Sequence, residues 1–195
     1  MNNRINPFAP LETLTRRRFL AGSGAVLSAG AVALLAGRPA LADQHRSQGG
    51  DAEADARILN TALGAELEAI AAYGVGAASG LLRKPALNLA VQFQGHHKAH
   101  ADLLAATIGK LGGSPVEARS QYEFPTEQLK AEADVLRFAA ALERGAVSAY
   151  LGAVPLFGER ELAKAAASIL GDEAMHWAVL RYVLGEDPVP AAFVS

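Results

Sequence analysis

Two stretches of this 195-residue chain, Glu66-Leu67-Glu68-Ala69-Ile70-Ala71-Ala72-Tyr73 and Glu143-Arg144-Gly145-Ala146-Val147-Ser148-Ala149-Tyr150, repeat one pattern, with Glu and Tyr seven positions apart in each. A second pair follows them. Gly95-His96-His97-Lys98-Ala99-His100 matches Gly171-Asp172-Glu173-Ala174-Met175-His176, and Tyr73 to His100 spans 27 positions where Tyr150 to His176 spans 26. The spacing therefore describes a duplicated pair of helices, each pair carrying Glu and Tyr first and a His-containing quartet second.

Outward from these repeats the chain is rich in alanine and is interrupted at Gly80 to Pro85, Gly112 to Pro125, Pro155 to Gly158 and Gly185 to Pro190. That punctuation predicts four helices, near 52–79, 85–111, 126–154 and 159–184. Pro85 suits a first helical turn, Thr126 with Glu127 a helix start, and Gly112 and Gly185 helix ends. The connections between helices 1 and 2 and between helices 3 and 4 are short and join antiparallel neighbours. The middle connection, Gly113 to Pro125, can reach about 43 Å at about 3.3 Å per residue, roughly the length of a 27-residue helix. It can run the length of the domain and leave helices 2 and 3 parallel. The expected fold is all-α, a four-helix bundle with one long crossover between helices 2 and 3.

Steps of four and three trace the core-facing seam of each helix. Helix 1 gives Leu59, Leu63, Glu66, Ile70 and Tyr73; helix 2 gives Phe93, His97, His100, Leu104, Thr107 and Leu111. Helix 3 gives Leu136, Ala140, Glu143, Val147, Tyr150 and Val154; helix 4 gives Leu162, Ala166, Ile169, Glu173, His176, Leu180 and Val183. At mid-length the seams turn ionisable: Glu66, His97, His100, Glu143, Glu173 and His176 converge on the bundle centre. Buried carboxylates are costly unless they are paired or hold a cation, and these seams carry no Lys or Arg. A divalent metal is the simplest compensation. With no cysteine in the chain, imidazole and carboxylate ligands suit iron or manganese, with zinc or copper as further candidates. His96 competes with His97, because His96 and His100 are four apart, but His97 keeps the seam's step. Tyr73 and Tyr150 read first as core aromatics, with hydrogen bonding to ligands or electron transfer as the other roles open to them.

The pattern resembles the ferritin-like superfamily, in which two helices each give a Glu and two give a Glu-x-x-His pair to a dinuclear centre. The likeness is closest to exported bacterial ferritin-like domain proteins related to desiccation-associated ones, and extends from about Ile58 to the Pro188-Val189-Pro190-Ala191-Ala192-Phe193-Val194 tail. The resemblance implies Glu66 and Glu143 as terminal ligands, Glu173 as a bridge, and His176 and His100 as the two histidines. His97 departs from the family by standing where a second bridging Glu is expected. A single imidazole nitrogen cannot bridge two metals, so both mono- and dinuclear sites remain open. The function implied is metal binding with redox activity toward oxygen or peroxide, whether catalytic or not. The competing expectation is a metal-free protective or interaction bundle whose polar cluster shares protons through hydrogen bonds. A homo-oligomer is compatible with either, but nothing in the sequence specifies a storage cage.

At the amino end Thr15-Arg16-Arg17-Arg18-Phe19-Leu20 resembles the twin-arginine export motif. An uncharged stretch, Phe19 to Gly37, and Arg38-Pro39-Ala40-Leu41-Ala42 follow, in the order of a cleaved signal peptide. Residues 1–42 are thus expected to engage the twin-arginine machinery and be cut near Ala42, giving a periplasmic protein. An uncleaved anchor is the alternative, but Gly, Ala and Ser dominate the apolar run, so no lasting membrane insertion is expected. Residues 43–51 read as a flexible leader and 52–195 as the bundle. Cleavage removes five Arg and one Glu, taking the formal net charge from −2 to −6. A mildly acidic domain without a basic stripe gives no electrostatic reason to bind nucleic acid or anionic lipid.

Overall fold

The computed structural model describes residues 48–194; residues 1–42, expected to form a signal peptide, and residues 43–47 lie outside them. The four helices are α1, Gln48–Ala78; α2, Lys84–Lys110; α3, Glu132–Ala153; and α4, Arg160–Val183. Two short 3-10 turns, Thr126–Gln128 and Val154–Leu156, lie between them, and the described residues contain no strand. Pro85 sits in the first turn of α2, where its missing N–H costs nothing. Gly112 and Gly185 take positive φ, 80° and 75°. This lets Gly113 N–H reach back to Ile108 C=O and Glu186 N–H to Arg181 C=O, both at 2.9 Å, closing α2 and α4 with αL caps.

Two boundaries differ from expectation. α1 begins at Gln48, inside the stretch expected to be a flexible leader, because a helix already nucleated gains one hydrogen bond for each residue added. α3 begins at Glu132 rather than near Thr126. Leu129 and Ala131 are extended, and the Asp134 carboxylate accepts from the backbone N–H groups of Lys130 and Ala131 at 3.1 and 2.9 Å, fixing the start. Glu132 accepts from the Arg83 backbone N–H and its guanidinium at 2.6–2.9 Å, joining the starts of α2 and α3.

Side-chain pairs set the helix directions. Tyr73 meets Glu143 while Tyr150 meets Glu66, so α1 and α3 run antiparallel. Phe93 stacks on His176 while His100 approaches Asp172 and Glu173, so α2 and α4 do too. With α1 and α2 joined as a hairpin, helices 2 and 3 are parallel, as the long connection requires. That connection follows α1 along the bundle's outside. Asn60 grips its start by donating to Ser114 C=O and accepting from Val116 N–H, at 2.9 and 2.8 Å. Phe124 near its end packs edge-on against Phe138.

The core falls into two apolar layers. One gathers Leu59, Leu63, Leu104, Ile108, Tyr150 and Ile169; the other Tyr73, Phe93, Leu136, Ala140 and Leu180. Each fully buried Leu or Ile contributes about 1.5–3 kcal/mol, which offsets the cost of the polar layer held between them. No helix among the described residues is long and apolar enough to cross a membrane.

Candidate metal centre

Five of the six expected side chains are sealed in the middle layer: Glu66, His97, Glu143, Glu173 and His176 are all 3% exposed or less. His100 completes the set at 14% side-chain exposure. The bundle's antiparallel registers bring them together from all four helices. His97 points inward, while His96 sits at the rim with 40% of its side chain exposed. Neither tyrosine merely packs. Each is buried and donates to a carboxylate of the other half, Tyr150 to Glu66 Oε1 at 2.6 Å and Tyr73 to Glu143 Oε1.

The ligand-type atoms form two overlapping groups, Glu66 with His97, His100 and Glu173, and Glu143 with His97, Glu173 and His176. In the first, His97 Nδ1 lies 2.8 Å from Glu66 Oε2 and 3.6 Å from Glu173 Oε1, and His100 Nδ1 lies 3.0 Å from Glu173 Oε1. In the second, His97 Nε2 lies 3.3 Å from Glu143 Oε1, and His176 Nδ1 lies 3.3 Å from Glu173 Oε2 and 3.5 Å from Glu143 Oε2. Glu173 gives one oxygen to each group and His97 one nitrogen to each, so His97 spans the two positions through both ring nitrogens. A neutral imidazole has one lone pair and can ligate at only one of them, leaving Glu173 as the bridging group.

Five buried atoms here, His100 Nδ1, Glu143 Oε2, both Glu173 oxygens and His176 Nδ1, make no hydrogen bond although neighbours lie at 3.0–3.6 Å. They are close without being aligned donor to acceptor. Within each group such atoms face one another without hydrogen bonding, as ligands of a cation do, and the residues therefore fit a divalent metal.

The electrostatics fit the same picture. Burial works against the His97 cation, but hydrogen bonds with Glu143 and Glu66 push its pKa up to about 11. Burial likewise opposes charge on His100 and His176, and the carboxylates beside them overcome it, raising each to about 9. Burial pushes the Glu66 and Glu143 carboxyls up, yet the histidines facing them hold both below the ordinary value. Glu173 is raised, chiefly by burial, with Glu143 adding to the shift. Burial and a neighbouring carboxylate raise Tyr73 and Tyr150 well above the usual phenol value, keeping both as hydrogen-bond donors. A cleft of about 30 Å³ reaches Glu66, His97, Glu143 and Tyr150 between α1 and α3. It is lined by Ala62, Ala65, Ala69, Ala146 and Ala149 and has room for a water-sized molecule.

Sequence reasoning missed Asp172. Its Oδ2 lies 3.1 Å from His96 Nδ1, 3.3 Å from His176 Nε2 and 3.4 Å from His100 Nε2. The signal was present, since Asp172 aligns with His96 in the internal repeat and stands four residues before His176.

A four-helix bundle with a long crossover and a buried layer of carboxylates and imidazoles defines the ferritin-like class. The ferritin-like domain family matches residues 54–186, and the chain belongs to it. The crystal structure of a conserved hypothetical protein, rv2844, from Mycobacterium tuberculosis is similar, with a TM-score of 0.64 and 25% identity over 73% of this chain and 99% of that one. No curated protein matches the chain.

Proposed function

We propose that this is an exported ferritin-like protein that binds iron or manganese at the Glu66, His97, His100, Glu143, Glu173 and His176 cluster, with redox activity toward oxygen or peroxide. The observation that carries the reading is the set of five buried ligand-type atoms near one another but not hydrogen-bonded. The alanine-lined cleft beside Glu66 and Glu143 supports the redox part, because it has room for a molecule of about water's or oxygen's size. When bound, the metal would supply electrons to such a molecule. The chain's own residues hold it, and Tyr73 and Tyr150 orient the two outer carboxylates. Ferrous iron added without air should bind stoichiometrically, and admitting air should then consume oxygen. Absence of binding overturns the reading; binding without oxygen uptake or peroxide breakdown reduces it to metal binding alone.

One observation favours a metal-free bundle instead. The His97 imidazolium between Glu66 and Glu143 is itself a buried cation, and His100 and His176 can bring the imidazolium count to three against three carboxylates. On that reading the parent takes up no metal, and Glu66→Gln or Glu143→Gln, which strips the imidazolium of a counter-charge, would destabilise it. Export rests on the Arg16-Arg17 motif and the apolar run after it. Changing Arg16 and Arg17 together to Lys should hold the full-length chain in the cytoplasm, and unaffected secretion would exclude the twin-arginine route.

A further inference from the structure

We propose that His96, Asp172 and His176 form an outer cation site at the rim between α2 and α4, which takes a divalent first-row ion and loads the buried centre through His176. The inference rests on the metal-binding reading of that centre. Three atoms define the outer site, His96 Nδ1, Asp172 Oδ2 and His176 Nε2, and they lie 2.9, 3.1 and 3.3 Å apart. Ligand atoms each about 2.1 Å from one metal are separated by about 3–3.4 Å across a polyhedron edge, so the triangle already has the size a cation requires. Two imidazoles and one carboxylate suit a divalent first-row ion, iron(II) and its spectroscopic stand-in cobalt(II) among them.

Side-chain exposure falls from 40% at His96 to 22% at Asp172 and 3% at His176, a path from solvent to the interior. His176 faces both ways. Its Nε2 belongs to the outer triangle, and its Nδ1 lies 3.3 Å from Glu173 and 3.5 Å from Glu143. Phe93 stacks on the ring, centroids 4.0 Å apart, and holds its plane. The neutral ring has one lone pair, so it ligates outward through Nε2 with Nδ1–H turned to the inner carboxylates, or inward through Nδ1 with Nε2–H donated to Asp172. Exchanging the two tautomers moves one proton across the ring, with no net gain or loss, as the ion passes inward. The inward state has the carboxylate–histidine–metal arrangement that orients metal ligands.

Cobalt(II), followed by its visible absorption in the full chain, tests this. The parent should first show a cobalt species at the outer triangle that gives way to the spectrum of the buried centre, and His96→Ala should lose that first species. In His96→Ala the centre's affinity should change by less than about twofold while its filling slows about tenfold. Asp172→Asn should lose the first species and also weaken the centre. His96 is half in solvent, and melting curves check that the variant is folded; His96→Gln provides a second, larger replacement. Filling at the parent rate in both His96 variants, or persistence of the first species in them, overturns the outer site alone. A parent that takes up no cobalt overturns it together with the metal-centre reading.

Discussion

Saturation with ferrous or manganous ion should raise the protein's melting temperature by about 5–11 °C, and Glu173→Ala should abolish the rise. Binding to the folded state alone stabilises by about 2.7 kcal/mol at a free metal concentration of 100 times Kd. For a domain of this size each kcal/mol moves the midpoint by about 2–4 °C. Glu173 is the decisive position because it is fully buried and shared by both four-residue groups, so its loss takes a ligand from each position at once. His176→Ala removes a ligand from only one group, and a mononuclear centre in the other would survive it. His97 belongs to both groups but its single lone pair serves only one position, so His97→Ala should leave the other position its ligands and keep part of the rise. Differential scanning calorimetry at matched free metal checks all three. An equal rise in the parent and in Glu173→Ala would mean that the ion acts elsewhere.

The second large effect is a pH dependence that metal should suppress. In the metal-free protein His100 and His176 titrate near 9 instead of 6.5. Their folded values are raised, so the stability they contribute is fully present below pH 6.5 and lost as pH rises through 9; His97 loses its share only near 11. Glu66 and Glu143 are lowered from 4.5. Their contribution is present above that value and lost on acidification. Glu173, raised by burial, pulls the other way and costs stability wherever it is ionised. Stability to urea should therefore be greatest between about pH 4.5 and 6.5 and decline toward pH 9. Metal displaces the imidazole protons, so its apparent affinity should climb across the same alkaline interval and the loaded protein should resist the decline. A flat metal-free profile between pH 6.5 and 9 would show that the histidines do not carry the charge that their surroundings favour.

Much of the centre was legible because the helices are regular and alanine-rich. Steps of four and three along an uninterrupted helix place side chains on one face whatever their identity, and Glu66, His97, Glu143, Glu173 and His176 all followed the step into the interior. The parallel course of helices 2 and 3 followed from loop reach alone. The start of α3 was not legible, because Thr126 and Glu127 carry the composition of a helix start, while the competing hydrogen bonds to Asp134 become visible only in three dimensions. Asp172 was not legible because acids on a helix are usually solvated, and no spacing rule says that His96 lies across the groove. The paired role of His97 was hidden for a different reason. A sequence presents a histidine as one ligand, whereas its two nitrogens face Glu66 and Glu143 on different helices.

The central claim is that the cluster is a metal centre, and anomalous diffraction from crystals grown with iron or manganese tests it most directly. Data collected on either side of the metal's absorption edge should place a peak within ligand distance of Glu173, bounded by His97 and by either the Glu66–His100 or the Glu143–His176 pair. A map with no peak inside the bundle, from protein that keeps its full helical content, would contradict the account and leave the layer as a hydrogen-bonded network of carboxylates and imidazolium ions.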